Sequence, residues 1–281
     1  MMRRAAAVRL YKWVGAAVVF GLIATPAAAQ YKPQPVNNPS SPENYHIEVG
    51  GDLWFPSSDI TIASAGTGVL AGLPGSQINA ERDLGVTDTH FPALQVILKP
   101  AKKHKFRLNY VPISFVGDAV LKTSIDFNGI RYQVGVPVNS TMKWDEWRFG
   151  YEYDFVSTNS GFAGFILEAK YTNVRVELDS PFASEFAQAR APIPAIGGIG
   201  RVYVAPSISI TGEVAAFAIP HSIDSRYQGH DIDIDIYGTV NFTPNIGVKG
   251  GYRSMDVGYL IKTDSGSMTL RGLYFGAVVR F

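Results

Sequence analysis

The sequence has no cysteine, few charged residues and, beyond its first 29 residues, no apolar run long enough to form a membrane-spanning helix. Without cysteine there is no disulfide framework, so packing or a membrane must supply the stability. A spanning helix needs about 18 or more consecutive apolar residues, which excludes a helical membrane protein. Only 17% of the residues are charged and 46% are hydrophobic, a composition that excludes a disordered chain.

The first 42 residues have the features of an export signal and a leader. Basic residues precede the apolar run at 13–24, and an A-x-A pattern predicts cleavage after Ala29, so 1–29 is the predicted signal peptide. Residues 30–42 are polar and proline-rich, which indicates an extended periplasmic leader. Removing the signal leaves 21 basic against 24 acidic residues, a net charge of minus three. This balance argues against a nucleic-acid partner.

From residue 43 to residue 281, apolar and polar residues alternate almost without a break. A period of two over so many segments predicts an all-β antiparallel protein. The predicted strands are 44–55, 91–100, 105–125, 130–155, 162–178, 195–205, 208–219, 230–242, 246–261 and 267–281. Two tight hairpins are expected near 127–129 and 263–266, and a short helix capped by Asn79 within 77–86.

The connections between the predicted strands alternate between short turns and mostly longer loops, such as 57–90, 179–194 and 220–229. Short turns at one end and longer loops at the other are typical of an outer-membrane β-barrel, with periplasmic turns and extracellular loops. Because the predicted strand number, about ten, is even, both ends of the barrel domain fall on the periplasmic side. The expected fold is a closed, monomeric, antiparallel transmembrane barrel over 43–281.

The last stretch, SMTLRGLYFGAVVRF, places apolar residues at alternate positions and ends in an aromatic residue. These are Leu273, Phe275, Ala277, Val279 and Phe281. The ending resembles that of the bacterial outer-membrane β-barrel superfamily, in its small members of 8 to 12 strands. The resemblance implies location in the outer membrane of a Gram-negative cell envelope. It also implies contact with periplasmic chaperones, the barrel assembly machinery and outer-membrane lipids, with these residues as the assembly signal.

A soluble sandwich or lipocalin-like barrel would show the same alternation, with the apolar face turned inward. The aromatic ending and strand lengths near the 9 to 11 residues that cross a bilayer favour the membrane barrel. Aromatic residues near predicted strand ends also suggest two interfacial girdles. Tyr151, Tyr153 and Phe155 would lie at the periplasmic side, and Trp54, Phe55 and Trp144 at the outer side.

The stretch HDIDIDIYGTVNF, at 230–242, shows how a barrel would use this alternation. Its three aspartates share one strand face and its three isoleucines the other. Carboxylates spaced roughly 6.6 to 7 Å apart along one strand are too distant to hold one ion, so no metal or other cofactor is predicted. In a membrane barrel the isoleucines face lipid, and Asp231, Asp233 and Asp235 face the lumen.

Turn positions predict which lumen charges pair. If the turn at 243–245 leaves Phe242 opposite Ile246, then Asp235 lies opposite Arg253. If the turn at 156–160 leaves Phe155 opposite Gly161, then Arg148 lies opposite Glu168 and Glu146 opposite Lys170. Opposite charges on facing strands stabilise a sheet by roughly 0.2 to 1 kcal/mol per pair. Asp231, Asp233 and Glu213 are expected at the outer mouth of the lumen, where acidic groups would favour cations.

These charge pairs predict a mostly plugged lumen and a structural or surface-interaction role. The first alternative is a porin-like, narrow, cation-preferring pore for small solutes. Its expected lining consists of Asp231, Asp233, Asp235, Glu213 and Arg253.

The second alternative is an outer-membrane hydrolase. Omptin proteases share the ten-strand count and place an Asp-His pair opposite an Asp pair at the outer cleft. The candidate residues here are His221, Asp224, His230 and Asp231 in one loop region, and Asp59, Asp83, Asp88 and His90 in the other. No omptin-like motif surrounds them. Lipid A deacylases use a His-x-Ser arrangement, whereas His221 and Ser222 are adjacent and would face opposite sides of a strand. We therefore predict no catalytic residues and no enzymatic activity.

Overall fold

The computed structural model of the protein describes residues 43–65, 75–219 and 226–281. The predicted signal peptide and leader lie outside the described residues. None of the helices in the described ranges is long and apolar enough to cross a membrane.

Ten antiparallel strands form one closed sheet, because the last strand pairs with the first. The barrel strands are β1 (Ile47–Ala63), β3 (Phe91–Ala101), β4 (His104–Val120), β7 (Pro137–Thr158), β8 (Gly161–Asp179), β9 (Ser184–Ala205), β10 (Ile208–Ile219), β11 (Tyr227–Asn241), β12 (Ile246–Ile261) and β13 (Asp264–Arg280). The smaller elements are β2 (Ile78–Asn79), α1 (Ala80–Leu84), β5 (Ile125–Phe127) and β6 (Ile130–Tyr132). The predicted ten-stranded antiparallel barrel is confirmed.

Three predicted strand boundaries differ substantially from the structure. Strand β1 continues to Ala63 rather than ending at 55. The predicted strand at 130–155 begins only at Pro137, because residues before it form the small β5–β6 hairpin, with Asn128 and Gly129 at positive φ in its turn. Strand β9 begins at Ser184 rather than at 195. Its upper half contains two prolines, which read as a loop in the sequence.

The outer face of the barrel carries a continuous apolar band. On β11 the isoleucines point outward, with Ile234 43% exposed and Ile236 56% exposed. The band covers 47–55 on β1, 147–155 on β7, 163–171 on β8, 192–204 on β9, 208–218 on β10, 232–240 on β11, 246–252 on β12 and 273–279 on β13. Polar residues begin above it on the same face, for example Ser57, Asp145, Asn173 and His230. Six of these eight segments are 9 to 13 residues long, and a tilted strand needs about 9 to 11 residues to cross a bilayer.

Two predicted girdle residues lie on the opposite face of the wall. Trp54 and Trp144 are 0% and 4% exposed and belong to an apolar core inside the upper barrel. They occupy even positions in strands whose even positions point inward, so their side chains cannot reach lipid. Phe55 does face outward and stacks on His90.

Strand β3 is short, and the segment before it completes the wall above it. β3 pairs with β1 only as far as Trp54 opposite Phe91. Above that level β2 pairs with β1, and Val86 bridges to Gly117 on β4. Residues 75–90 therefore fill the gap between β1 and β4 and lie against the inner face of the barrel.

Candidate functional site

The lumen holds most of the charged side chains that the strand pattern predicted to point inward. Several ion pairs join strands on opposite sides of the barrel. Arg107 Nη2 on β4 lies 2.6 Å from Glu213 Oε2 on β10, and Arg148 Nη1 on β7 lies 3.1 Å from Asp233 Oδ2 on β11. Such pairs cross the lumen.

The β11–β12 hairpin has the predicted register. Asp235 lies opposite Arg253, and the two side chains form an ion pair of 3.0 Å between Arg253 Nη2 and Asp235 Oδ2. Tyr274 on β13 donates a hydrogen bond of 2.8 Å to the other Asp235 oxygen. Arg253 also lies 3.5 Å from Asp52 on β1. The predicted pair is thus one part of a network that spans β11, β12, β13 and β1.

The β7–β8 hairpin differs from the predicted register by two residues. Arg148 lies opposite Lys170, while Glu168 lies opposite Gly150. The cause is an irregularity near Phe155 together with a turn of only two residues after Thr158. A shift of two keeps every side chain on its predicted face. Arg148 still reaches Glu168 diagonally, at 3.0 Å between Nη2 and Oε2.

The predicted pair of Glu146 and Lys170 is wrong. Glu146 lies opposite Thr172, and Lys170 instead forms ion pairs with Asp231, at 2.5 Å, and with Asp233. Glu146 is 0% exposed, neither of its carboxylate oxygens accepts a hydrogen bond, and its nearest ion partner is Arg148 Nε at 3.9 Å. This carboxylate is the least compensated charge among the lumen groups described.

Asp231 and Asp233 do not form an open acidic mouth, contrary to the prediction. They are 1% and 5% exposed, and Lys170 and Arg148 neutralise them beneath the apolar upper core. Glu213, the third predicted mouth residue, is paired with Arg107 deeper in the barrel. The burial of these residues could not be predicted from the sequence, because the loops that cover them lack the regular apolar–polar alternation from which strands are predicted.

The periplasmic end of the lumen is closed by Glu43, which precedes the first strand and was not predicted as a site residue. Its carboxylate accepts hydrogen bonds from Arg201 Nη1 at 2.7 Å and from the Tyr203 hydroxyl at 2.6 Å. Lys99 donates to its backbone carbonyl at 2.6 Å. Burial alone would raise the pKa of Glu43, but Arg201, Lys105 and Lys99 together with the Tyr203 hydrogen bond lower it to about 2.

The extracellular end is filled by apolar side chains from the first two outer loops. The predicted short helix is confirmed as α1, and Asn79 caps it by accepting a hydrogen bond from the Arg82 amide. Leu84 of α1 and Phe127 of the β5–β6 hairpin are 2% and 1% exposed and pack in one cluster with Phe115 of β4. The described part of the first loop that contains Ile78 and Leu84 therefore packs inside the barrel, a point that the sequence left open.

Polar side chains from several strands surround a small space between these layers. A cavity of about 30 Å³ lies among Arg107, Arg148, Glu213, Asp235 and Tyr237, enough for one or two water molecules. Across 43–65, 75–219 and 226–281, no group of three or more His, Asp or Glu side chains is arranged to hold a metal ion.

Those residues of the proposed omptin-like site that the structure describes do not come together. His230 Nε2 lies 3.2 Å from Asp256 Oδ1, and this pair faces outward, above the apolar band. Asp88 accepts hydrogen bonds from the Ser58 amide and hydroxyl on the inner side. His90 stacks on the outward Phe55 and Asp83 is paired with Arg82. Asp59 faces outward, and His221, Ser222 and Asp224 lie outside the described residues.

The predicted assembly residues lie at alternate positions at the end of the chain. Phe281, Phe275 and Leu273 are 67%, 60% and 55% exposed on the outer face, and Val279 and Ala277 share that face. Their recognition by assembly machinery stays a prediction.

Comparison with solved structures supports the architecture. The outer membrane protease OmpT from Escherichia coli aligns with a TM-score of 0.55 and 8% identity, over 84% of this chain and 97% of that one. Ail of Yersinia pestis aligns with a TM-score of 0.37 and 9% identity, over 84% and 99% of the two chains. Neisserial surface protein A gives 0.33 and 14%, over 84% and 97%. The last two scores are too low to support an argument.

No protein-family model matches the sequence, and no curated protein matches it. At 8% identity the likeness to the protease concerns the fold alone. The closed barrel of ten strands, its outward apolar band and this likeness show that the chain has the fold of bacterial outer-membrane β-barrels.

Proposed function

We propose that this barrel does not conduct solutes and that it acts through its extracellular surface, as a structural or surface-interaction protein. The observation that carries the proposal is closure of the lumen at three levels. Glu43 closes the periplasmic end, cross-lumen pairs such as Arg107 with Glu213 close the middle, and the apolar core around Leu84 closes the outer end.

The strands that rise above the apolar band supply the surface available to a partner. β7, β8 and β9 continue well beyond the band, and most outward residues there are polar, although Phe186 on β9 is 44% exposed. They include Lys143, Arg175, Glu177, Gln188 and Arg190. Such a rigid polar wall outside the membrane suits recognition at the cell surface.

Single-channel recording in planar bilayers tests the proposal. The wild-type protein should insert without conductance steps. The double variant Arg107→Ala with Glu213→Ala removes both partners of one cross-lumen pair and so leaves neither charge unpaired. It should conduct weakly. Regular conductance steps in the wild type would contradict the proposal.

A narrow cation-preferring pore is the second candidate, and the balance of lumen charge favours it over an anion pore. The described lumen carries eleven carboxylates: Glu43, Glu48, Asp52, Glu146, Glu152, Asp154, Glu168, Glu213, Asp231, Asp233 and Asp235. It carries nine cations: Lys99, Lys105, Arg107, Arg148, Lys170, Arg201, Lys249, Arg253 and Arg280. Any current through the double variant should therefore reverse at a potential that indicates cation preference.

The absence of enzymatic activity is also part of the proposal. It is supported by the outward position of His230 with Asp256 and by the engagement of Asp88 with Ser58, which keep these groups on different faces of the wall. Hydrolysis of peptide or lipid A substrates by the wild type that is lost in His230→Ala would contradict it.

A further inference from the structure

The ladder between β9 and β10 stops well below the top of β9. The last pair is Ile196 with Ala216. Above it, β9 continues over 184–195 paired only with β8, and β10 continues over 217–219 paired only with β11. Within the described residues, no strand pairs with the other edge of either segment. We call this gap, bounded by 184–195 and 217–219, the side notch.

The sequence of β9 keeps this edge unpaired. Thr172 on β8 donates to the Ala191 carbonyl, which places the odd-numbered backbone groups of upper β9 toward β8. The even-numbered groups then face the notch, and the Phe186 carbonyl there accepts a hydrogen bond from Asn128. Pro192 and Pro194 are even-numbered and have no N–H to donate. Another strand could not complete a ladder along this edge, so the gap is a lasting feature of the fold.

The inner side of the notch is apolar and open. The inward-facing residues over 187–193 on β9 are aliphatic: Ala187, Ala189, Ala191 and Ile193. None of them is fully buried, and Ala189 is exposed although it faces inward. Phe217 and Ile219 on β10 face inward as well and are only partly buried. These side chains line an apolar recess, and Glu185 lies above it near the top of the strand.

The notch begins inside the apolar band. On the outer face of β9, Ile196, Pro194 and Pro192 are apolar, and Arg190 is the first charged residue above them. On β10 the outward residues remain apolar up to Ala218. The lower part of the notch therefore opens sideways into the hydrocarbon of the outer leaflet.

An ion pair forms the floor of the recess. Lys170 lies opposite Ile193, and Asp231 lies opposite Phe217. Their side chains meet at 2.5 Å, joining β8 to β11 beneath the notch. A hydrocarbon chain that enters the recess would stop at this buried charge, because apolar groups gain nothing by displacing an ion pair. The recess is a binding site rather than a passage.

We propose that the side notch binds one acyl chain of an outer-leaflet lipid, held against Ala189, Ala191 and Ile193, with the lipid headgroup at the level of Arg190. The apolar lining, the opening into the bilayer and the missing N–H donors favour a hydrocarbon chain over a peptide strand. The proposal goes beyond the proposed surface role and does not depend on it.

Fluorescence quenching from inside the bilayer tests the proposal, and the absence of native cysteine makes labelling specific. The variant Ala191→Cys, labelled with bimane, is reconstituted in phosphatidylcholine vesicles. The vesicles contain a phospholipid with a nitroxide at the middle of one acyl chain. Most of the bimane fluorescence should be lost. Ala93→Cys, which also faces inward but lies on β3 behind paired strands, should keep its fluorescence.

A matched pair of blocking substitutions gives the second readout. Adding Ala189→Phe to Ala191→Cys fills the recess and should restore the fluorescence. Adding Gln188→Phe places the same bulk on the outer face of the same strand and should leave the quenching unchanged. Heat-dependent gel mobility confirms that each variant is folded.

Equal quenching at positions 191 and 93, or continued quenching with Ala189→Phe, would overturn the proposal. An unquenched label in a protein that sediments as a dimer would also overturn it, because the notch would then be a contact between two copies. None of these results depends on whether the lumen conducts, so failure of the lipid site is distinguishable from failure of the surface role.

Discussion

Lys170 joins two lumen aspartates that would otherwise repel each other. Its side chain and that of Asp231 are 0% and 1% exposed. Lys170→Met removes the cation and leaves two buried carboxylates without it, so we expect a loss of about 3 to 5 kcal/mol in the free energy of unfolding. Urea unfolding in lipid vesicles measures this. Lys143→Met, on the outer face of β7, should change stability by no more than about 0.5 kcal/mol. Equal losses in the two variants would contradict the assigned role.

Glu146 is the opposite case, a buried charge without a close partner. Glu146→Gln keeps the shape and removes one of the two excess negative charges of the described lumen. We expect unfolding stability to stay the same or rise by about 1 kcal/mol, since neutralising an uncompensated buried charge is often favourable. A loss as large as that from Lys170→Met in the same urea series would show that Glu146 has a partner.

The outward pair of His230 and Asp256 predicts a pH dependence. The hydrogen bond that the His230 ring donates to the Asp256 carboxylate raises the pKa of His230 above its ordinary 6.5, and the same bond lowers the pKa of Asp256 below 3.8. The histidine contribution to stability is therefore complete below about pH 6.5 and is lost as pH rises through the raised pKa. The aspartate contribution is lost as pH falls through the lowered pKa.

An NMR titration of the His230 ring checks this expectation. The ring should titrate above 6.5 in the wild type and shift downward in Asp256→Asn, because the hydrogen-bonded charge is then gone. A titration that is identical in both proteins would contradict the assigned bond.

Local spacing predicted some of these side-chain partners and not others. Asp235 with Arg253 followed from one tight turn, since the turn length fixes the register. Glu146 and Lys170 were mispaired because the two-residue turn after Thr158 and the one-residue irregularity near Phe155 together place the ladder two residues from the predicted register. The partner of Lys170 is on β11, three strands away, and no rule of local spacing reaches that far.

The segment at 75–90 acts as a substitute for the missing upper half of β3. Gly117 on β4 allows this segment to approach, because a Cβ at that position would lie 2.4 Å from the Leu84 carbonyl oxygen. Gly117→Ala should displace α1 and make the bond after Arg82 accessible to trypsin, with cleavage about tenfold faster, equivalent to ~1.4 kcal/mol of local stability.

Gly212→Ala is the matched control for this prediction. It lies on β10, and a Cβ there meets nothing within 4 Å. Its cleavage rate should equal that of the wild type. An unchanged rate in Gly117→Ala as well would show that the segment does not depend on close packing against β4.

Element boundaries were predictable where the alternation was regular and the turns were short. β10 and β12 occupy the predicted residues, and Asn79 caps α1 as the sequence indicated. The upper half of β9 was missed because Pro192 and Pro194 usually mark a loop. The structure accommodates them on an unpaired edge, which a prediction from a single strand cannot anticipate.

Closure of the whole barrel determines which ion pairs the charged lumen side chains form. The period of two identifies the wet face of each strand, and the structure places Glu48, Asp52 and Arg201 on it as expected. Which charges meet across the lumen depends on all ten strands at once, so Arg107 with Glu213 and Glu43 with Arg201 could not be predicted. The occluded lumen is a property of the closed ring and its loops, not of any one hairpin.

Accessibility along β11 tests the whole account most directly. Single cysteines at positions 231 to 236, labelled with a nitroxide, report collisions with oxygen dissolved in the bilayer. We expect high oxygen accessibility at Ile232, Ile234 and Ile236 and low accessibility at the aspartates between them, because only the isoleucines face lipid. The reverse pattern, or no alternation at all, would contradict the membrane barrel on which every other conclusion depends.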